Sequence, residues 1–552
     1  MQNAWQRWRA PSNGLDFQPG RDPCIAGISS RQVLPRRQAR RNPSSRGVCA
    51  MKTAKKKPPK NPPKKPVKKT KLKALIRKRP SIISKKSSHG NEIDDIFKDW
   101  NKNDSPGMTI AVRHNGSIDY RAGYGRADLD RQIYNSHDTV FHAASLTKQF
   151  TALAIMMLIN DPSLATTQIT LDTDVNTSTL IPELGGITQS NGTLQPITIR
   201  QLLHHTSGIR DQWILATMAG WRMSDDVITR DDVMNRFVGL SKSLNFTPGS
   251  KYSYSNTNYT IAGEIVRKVS GLSLSAFCKQ YIFGPLGMTK TKIIETHGEI
   301  VQDRAYGYRT PPLTGVGWEM RMPNYDLTGP TNLQTTVDDL MLWDANFDSA
   351  TVGGTAALTE MQTPGLGDYG LGLFILNQSG IKIVEHNGRD AGYRSHLIRF
   401  PDRNLSIALL ANLALPNTLA TLTFTLVRKV ANLYLGTSLT APMPPPPPIT
   451  APGPTPANPG EFTGQFHSDE LDVTYTLGLK GMAVQVMREK YAAVTLSPLS
   501  DADTFKTTSA FSNVLSLVKF TFYREQGQIA GFFMDDISGG DQLSNFKFRK
   551  VA

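Results

Sequence analysis

Cysteine is scarce in this chain: Cys24, Cys49 and Cys278 are the only three. Two of them fall in a basic N-terminal stretch. One thiol is left for everything downstream, so a disulfide framework is excluded there. Long apolar runs are also missing. No stretch approaches the roughly 20 residues that a membrane-spanning helix needs. The longest candidate, around Ala152 to Ile159, reads as a buried helix. The N-terminus has arginines but no apolar segment of the secretory type, which sets a cytoplasmic expectation. Its Arg-rich, acid-poor character keeps organelle import open. The 10 histidines are scattered without metal-ligand spacing, so neither a metal nor a cofactor is expected.

Acidic residues are almost absent from the first part of the chain. Residues 1–90 hold 25 Lys and Arg against 2 Asp and Glu, a net of +23 where the whole chain is +17. The remainder is therefore mildly acidic, at −6, and the basicity belongs to a tail. Within it, residues 51–79 read MKTAKKKPPKNPPKKPVKKTKLKALIRKR. Proline breaks helices and like charges repel, so residues 1–90 are expected to be a disordered, extended tail. Met51, at the head of that run, is a second candidate start. Residues 52–79 have the charge to meet a polyanion or an anionic membrane surface. No aromatics are interleaved to grip bases, so a merely solvated tail is the competing reading.

At 552 residues several domains are expected. Order is predicted from about residue 91. NEIDDIFKDW carries Ile93, Ile96, Phe97 and Trp100 at helical spacing. MTIAVRH and SIDYRAGY flank Asn115-Gly116, a strong hairpin signal. Helical patterns follow at 146–160, 197–204, 259–270, 274–283 and 337–346. From Tyr369 to Asn412 the pattern turns to strands, with LIRF and LSIALLAN joined by Pro401-Asp402-Arg403-Asn404. A last helix, about 417–435, ends at Gly436. Two edge strands, inserted helices, three more strands and a closing helix make an α+β domain with a mostly antiparallel sheet, residues 91–438. Residues 439–459 are a Pro-rich linker. In 460–552 strict alternation, as in Leu471, Val473, Tyr475, Leu477 and Leu479, predicts a small all-β barrel of seven or eight strands.

The chemistry-bearing stretch is FHAASLTKQF, with Ser145 three residues before Lys148. Spacing alone decides little, since Ser379/Lys382, Ser516/Lys519 and Ser544/Lys547 repeat it. Those three lie in turn or strand patterns, whereas Ser145 opens an apolar helix, where i and i+3 share a face. A buried Lys has a lowered pKa and can serve as a base. A capping serine with an incidental lysine stands equally on this segment. Tyr254-Ser255-Asn256 precedes another helix, and His386-Asn387-Gly388 leads into the closing strands. That last triplet recurs at His114-Asn115-Gly116, where a hairpin explains it.

In order, Ser145-x-x-Lys148, Tyr254-x-Asn256 and His386-x-Gly388 resemble the penicillin-recognising serine hydrolases. The branch they are most similar to holds class C β-lactamases, D-alanyl-D-alanine carboxypeptidases, D-aminopeptidases and related carboxylesterases. LLHHTSGI, TPGSKYSYSNTNY, PLGM, TNLQTTVDDLMLW and YGLGLFI extend the likeness across 93–436. The resemblance implies a β-lactamase/DD-peptidase-like α+β fold with a lipocalin-like C-terminal barrel. It also implies an acyl-enzyme hydrolase of amides or esters. Ser145 would be the nucleophile, and Lys148 and Tyr254 the proton-transfer pair. Asn256 would orient a substrate amide, and His386 and Gly388 would line the cleft. The backbone N–H groups of Ser145 and Arg389 would form the oxyanion hole. The implied partner is a small-molecule or peptide substrate. Many β-lactam-hydrolysing members carry Lys where this chain has His386, which leaves a substrate carboxylate without its usual cation. His204 and His205 read as a turn at a helix end. No Gly-x-Ser-x-Gly elbow is present, against an α/β-hydrolase. Two further readings stand beside this one: a carboxylesterase, and a non-catalytic scaffold using the tail and the barrel.

Overall fold

The computed structural model describes residues 87–188, 192–223, 225–240, 243–311, 315–414, 422–441, 451–512, 514–539 and 542–551. Residues 1–86 of the basic tail, and with them its polyanion or membrane contact, lie outside these residues, as do residues 442–450 of the Pro-rich linker. The described residues all belong to one compact unit. None of their helices is long and apolar enough to cross a membrane.

A six-stranded antiparallel sheet organises the first part. Its strands are β1 (Met108–His114), β2 (Ser117–Tyr124), β3 (Phe374–Gln378), β4 (Ile381–Asp390), β5 (Tyr393–Phe400) and β6 (Leu405–Ala411). The spatial order is β3-β4-β5-β6-β1-β2. The sequence expectation of two edge strands at the start is corrected here. Of these two only β2 is an edge, because β1 pairs in full register with β6, from Met108 opposite Ala411 to His114 opposite Leu405. Four strands, not three, come from the later segment. The shortest of them, β3, is half-buried and lacks clear alternation.

Both faces of the sheet are covered, which explains the unbroken apolar run in β6. Ile407 and Leu409 face one core with Ile110, Val112, Phe97, Leu426 and Val430. Ala408 and Leu410 face the other core, with Ala111, Phe150 and Trp343. The first core holds α1 (Gly90–Phe97) and the C-terminal helix α6 (Leu422–Leu435) against the sheet. Each such buried side chain contributes about 1.5–3 kcal/mol.

The inserted region supplies α2 (Thr147–Asn160), α3 (Gln212–Met218), α4 (Asn256–Ser270) and α5 (Val337–Ser349). Helix α2 is buried on nearly every side, as a helix apolar all round must be. It packs Phe150 against Trp343 at 4.5 Å, and Trp343 Nε1 donates to Gln149 Oε1.

The C-terminal part closes into an eight-stranded antiparallel barrel, with strands following one another from Gly464–Ser468 to Phe546–Lys550. Rings of Phe466, Phe520, Phe522, Phe532 and Phe548 fill its interior. A closed sheet of this size leaves room for side chains or one small ligand, and here aromatics take the space. The barrel is tied down by polar anchors. Arg210 pairs with Glu470 at 2.8 Å and donates to the Ser544 carbonyl, and the Tyr475 hydroxyl donates to the Met218 carbonyl.

Candidate active site

Ser145 sits in a 3-10 turn, Ala144–Leu146, immediately before α2 rather than in the helix itself. Ala144 has φ +48°, a conformation costly for a residue with a Cβ. Tertiary contacts hold it. Ala143 N–H donates to the Leu333 carbonyl, and Leu333 N–H donates to Thr147 Oγ1. Strand β4 packs on the turn at Gly388. A Cβ there would lie 2.2 Å from Ser395 Oγ and 2.4 Å from the Ala143 carbonyl, so only glycine fits.

The side chain of Lys148 comes back along the helix face. Its Nζ donates to Ser145 Oγ at 3.0 Å, to Asn256 Oδ1 at 2.8 Å and to the Pro330 carbonyl at 3.0 Å. Burial pushes this amine down to about 7, against Asp211 and Asp390, which pull it up. At neutral pH a sizeable fraction is a free amine, able to take the proton of the Ser145 hydroxyl.

Tyr254 presents its ring to Lys148 Nζ, 4.8 Å from the centroid, and Ser145 is among the groups that act on its hydroxyl. Burial holds this phenol well above its ordinary value, so it stays protonated. His205 fixes its position. The His205 backbone has φ +58°, its carbonyl accepts from Ser253 N–H, and its Nδ1 accepts from Ser255 N–H at 3.1 Å. The ring lies 4.3 Å from that of Tyr254. Burial and then Lys148 keep His205 neutral, far below its ordinary value. His204 donates from Nδ1 to the Tyr369 carbonyl.

Asn256 begins α4. Its amide oxygen is taken by Lys148, and one amide N–H goes to Asp211 Oδ2 at 2.8 Å. One N–H remains for the expected role toward a substrate amide. Asp211 caps α3, accepting from Trp213 and Ile214 N–H as well as Asn256 N–H.

His386 is buried. Its Nδ1 lies 2.7 Å from the Asn387 carbonyl, an obligate acceptor, so Nδ1 carries the proton. Nε2 then accepts from the Tyr369 hydroxyl at 2.9 Å. Burial, then Lys148, pushes the imidazole down to about 3, so it is neutral. Arg389 follows Gly388 along β4, opposite Arg394 on β5.

Ser145, Tyr254, Asn256, His386 and Arg389 line one cavity of about 1100 Å³. Asp211, Asp390 and Arg394 share its wall, as do Ala510, Ser512, Val514, Ser516 and Gln542 of the barrel. Gln542 Nε2 donates to the Tyr254 carbonyl at 3.1 Å. Asp211 and the barrel residues are not among the site residues the sequence points to; Ser516 figures there only as a repeat of the Ser-x-x-Lys spacing. Asp211-Gln212-Trp213 carries a capping signal before a short apolar helix; nothing local marks Gln542. Away from the cavity, His137, Asp138 and Asp338 bring ligand atoms within 4.8 Å of one another, but Arg121 and Lys290 pair with the carboxylates.

A sheet with helices on both faces, and a Ser-x-x-Lys turn packed on it between a Tyr-x-Asn loop and a His-x-Gly strand, define the class. The chain belongs to the Beta-lactamase family, whose model matches residues 93–432. It is 28% identical over 313 residues to a D-aminopeptidase of Gluconobacter oxydans, covering 56% of each chain. It is 30% identical over 339 residues to Protein flp of Staphylococcus aureus, covering 58% of this chain and 63% of that one. The match thus spans less than two thirds of these relatives' lengths. In fold it is similar to the octameric penicillin-binding protein homologue from Pyrococcus abyssi, at a TM-score of 0.53 and 22% identity. That likeness covers 83% of this chain and 98% of the other.

Proposed function

We propose that this chain is a serine hydrolase that acts through an acyl-enzyme on amides with a free D-amino terminus. The observation that carries the reading is the 3.0 Å contact between Ser145 Oγ and the Nζ of Lys148, an amine lowered to about 7. Neutral Lys148 takes the Ser145 proton as Oγ bonds to the substrate carbonyl carbon. Charge builds on the carbonyl oxygen, where the backbone N–H groups of Ser145 and Arg389 receive it. The C–N bond breaks as the Tyr254 phenol protonates the departing nitrogen, and the Lys148 ammonium restores that proton. Water then attacks the ester by the same route in reverse, releasing acid and Ser145.

Two things support the substrate class. A D-aminopeptidase is among the relatives. His386 is neutral where a cation would meet a carboxylate beside the nucleophile. Neutral esters and D-aminoacyl amides should therefore outrun penicillins and cephalosporins. The test is intact-mass analysis after an activated-serine probe, with kcat/KM for a nitrophenyl ester, a D-alanyl anilide and a chromogenic cephalosporin. One adduct is expected, lost in Ser145→Ala with Tm nearly unchanged. Activity surviving in Ser145→Ala removes the mechanism, and a tenfold lead for the cephalosporin removes the substrate class. The absence of any adduct would favour a scaffold.

A further inference from the structure

Helix α3 is held from both ends by the barrel. Just past its C-terminal end, the Tyr475 hydroxyl donates to the Met218 carbonyl at 2.9 Å and the Tyr491 hydroxyl to the Trp221 carbonyl at 2.6 Å. At its N-terminal end stands Arg210, immediately before the capping Asp211. The Arg210 side chain is only 1% exposed, and its Nε lies 2.8 Å from Glu470 Oε1. Glu470 sits in the turn between the first two barrel strands, Gly464–Ser468 and Val473–Lys480. Arg210 Nη1 donates to Asn245 Oδ1 at 2.9 Å and to the Ser544 carbonyl at 2.8 Å. Asn245 is itself turned to the barrel. Its Oδ1 also accepts from Ser544 N–H at 3.0 Å, and its Nδ2 donates to the Gln542 carbonyl at 2.9 Å.

The backbone that Arg210 fixes runs straight into the cleft. The Arg210 carbonyl accepts from Thr257 Oγ1 of α4 at 2.8 Å. The next residue, Asp211, receives both Asn256 N–H at 2.6 Å and Asn256 Nδ2 at 2.8 Å on Oδ2. Asn256 Oδ1 in turn accepts from Lys148 Nζ at 2.8 Å, and the same Nζ reaches Ser145. A continuous series of contacts thus joins a barrel carboxylate to the amine beside the nucleophile. A buried ion pair adds little net stability, because desolvating both charges offsets their attraction, but removing one partner leaves a costly lone charge. The pair therefore fixes a distance more than it stabilises the fold, and the element it fixes carries Asp211.

We propose that Glu470 and Arg210 are positioning residues for the active site, so that the barrel is a working part of the catalytic unit and not an appended module. The pair sets the backbone at Asp211, Asp211 sets Asn256, and Asn256 sets where Lys148 Nζ stands. This rests on the proposed hydrolase reading and adds to it a requirement for the barrel. The charged and titratable groups facing Lys148 are Asp211, Asp390, His205, His386 and the Tyr254 phenol. Both histidines are neutral and the phenol is protonated at neutral pH. The two carboxylates are then the charges that hold the amine up against burial, Asp211 more than Asp390. Displacing Asp211 should lower the amine further.

The experiment is Glu470→Gln in the full chain, which keeps the shape and removes the charge. The readouts are kcat and KM on a neutral nitrophenyl ester, per Ser145 titrated with an activated-serine probe, and the pH profile of kcat/KM. A displaced site should lose about tenfold in kcat with KM nearly unchanged. The midpoint of the acid limb should move to lower pH by about 0.5. Glu470→Asp should recover part of both. Asp469→Asn breaks the neighbouring exposed pair with Arg549 and should change neither. Native kcat and midpoint in Glu470→Gln overturn the proposal, as does an equal effect of Asp469→Asn. A lowered Tm with kcat per titrated site and midpoint intact assigns the pair to stability alone and also overturns it. Should Glu470→Gln fail to fold, the double variant Arg210→Met with Glu470→Leu decides, since it leaves no lone buried charge. It must show the slowed turnover, and native turnover overturns the proposal. Failure of the hydrolase reading shows separately, as absence of a Ser145 adduct in the native chain. The Lys148 midpoint is then read by NMR of its labelled side chain, and an unshifted midpoint in Glu470→Gln overturns the proposal.

Discussion

Titrating Lys148 is the sharpest check on the proposed chemistry. Moving this amine from its ordinary 10.5 to about 7 amounts to about 5 kcal/mol in favour of the neutral form. The sign for stability follows from a lowered value in the folded state. Between about 7 and 10.5 the unfolded chain binds a proton that the folded chain does not. The cost of burying this lysine is therefore full below pH 7 and fades as the pH rises through that window. For catalysis the free amine is the active form. The log of kcat/KM on a neutral nitrophenyl ester should plateau above pH 8 and fall with unit slope below 7. At pH 6 the rate should be about one tenth of the plateau. No second limb should interrupt the range from 5 to 9. His386 titrates near 3, His205 lies far below its ordinary value, and the Tyr254 phenol lies well above 10. Asp390 holds the amine up, so Asp390→Asn should move the midpoint downward. A profile flat from pH 8 to 5 would refute the assignment, as would a midpoint at or above 9.

Two further outcomes follow from contacts on the walls of the site. Gly388→Ala places a Cβ 2.4 Å from the Ala143 carbonyl. It should cost about 1–3 kcal/mol in chemical denaturation and most of the turnover, and Ser395→Gly should not restore it, because the backbone clash remains. Gln542→Ala removes one hydrogen bond from the barrel to the Tyr254 carbonyl, worth about 1 kcal/mol. The expected effect is about a fivefold loss in kcat/KM with little change in Tm; unchanged kinetics would mean that the barrel does not position Tyr254.

Local pattern carried much of this protein. The Ser145–Lys148 contact follows from i, i+3 geometry once α2 forms, and α2 forms because TKQFTALAIMML is helical and apolar. The β1–β2 hairpin comes from Asn115-Gly116, with Asn115 at φ +51°, and the barrel comes from alternation. What the chain order alone left open was decided by contacts distant in sequence. The Lys148 amine is lowered because the fold buries it beside Asn256 and the Pro330 carbonyl, 108 and 182 residues away. His386 is neutral because Tyr369 and the Asn387 carbonyl fix its tautomer and burial removes its solvent. Asp211, Gln542 and the Arg210–Glu470 pair acquire meaning only through packing. A side chain's type and its local helix or strand are properties of a few neighbouring residues. Its protonation state and its partners depend on which distant groups the fold brings close and how much water they exclude.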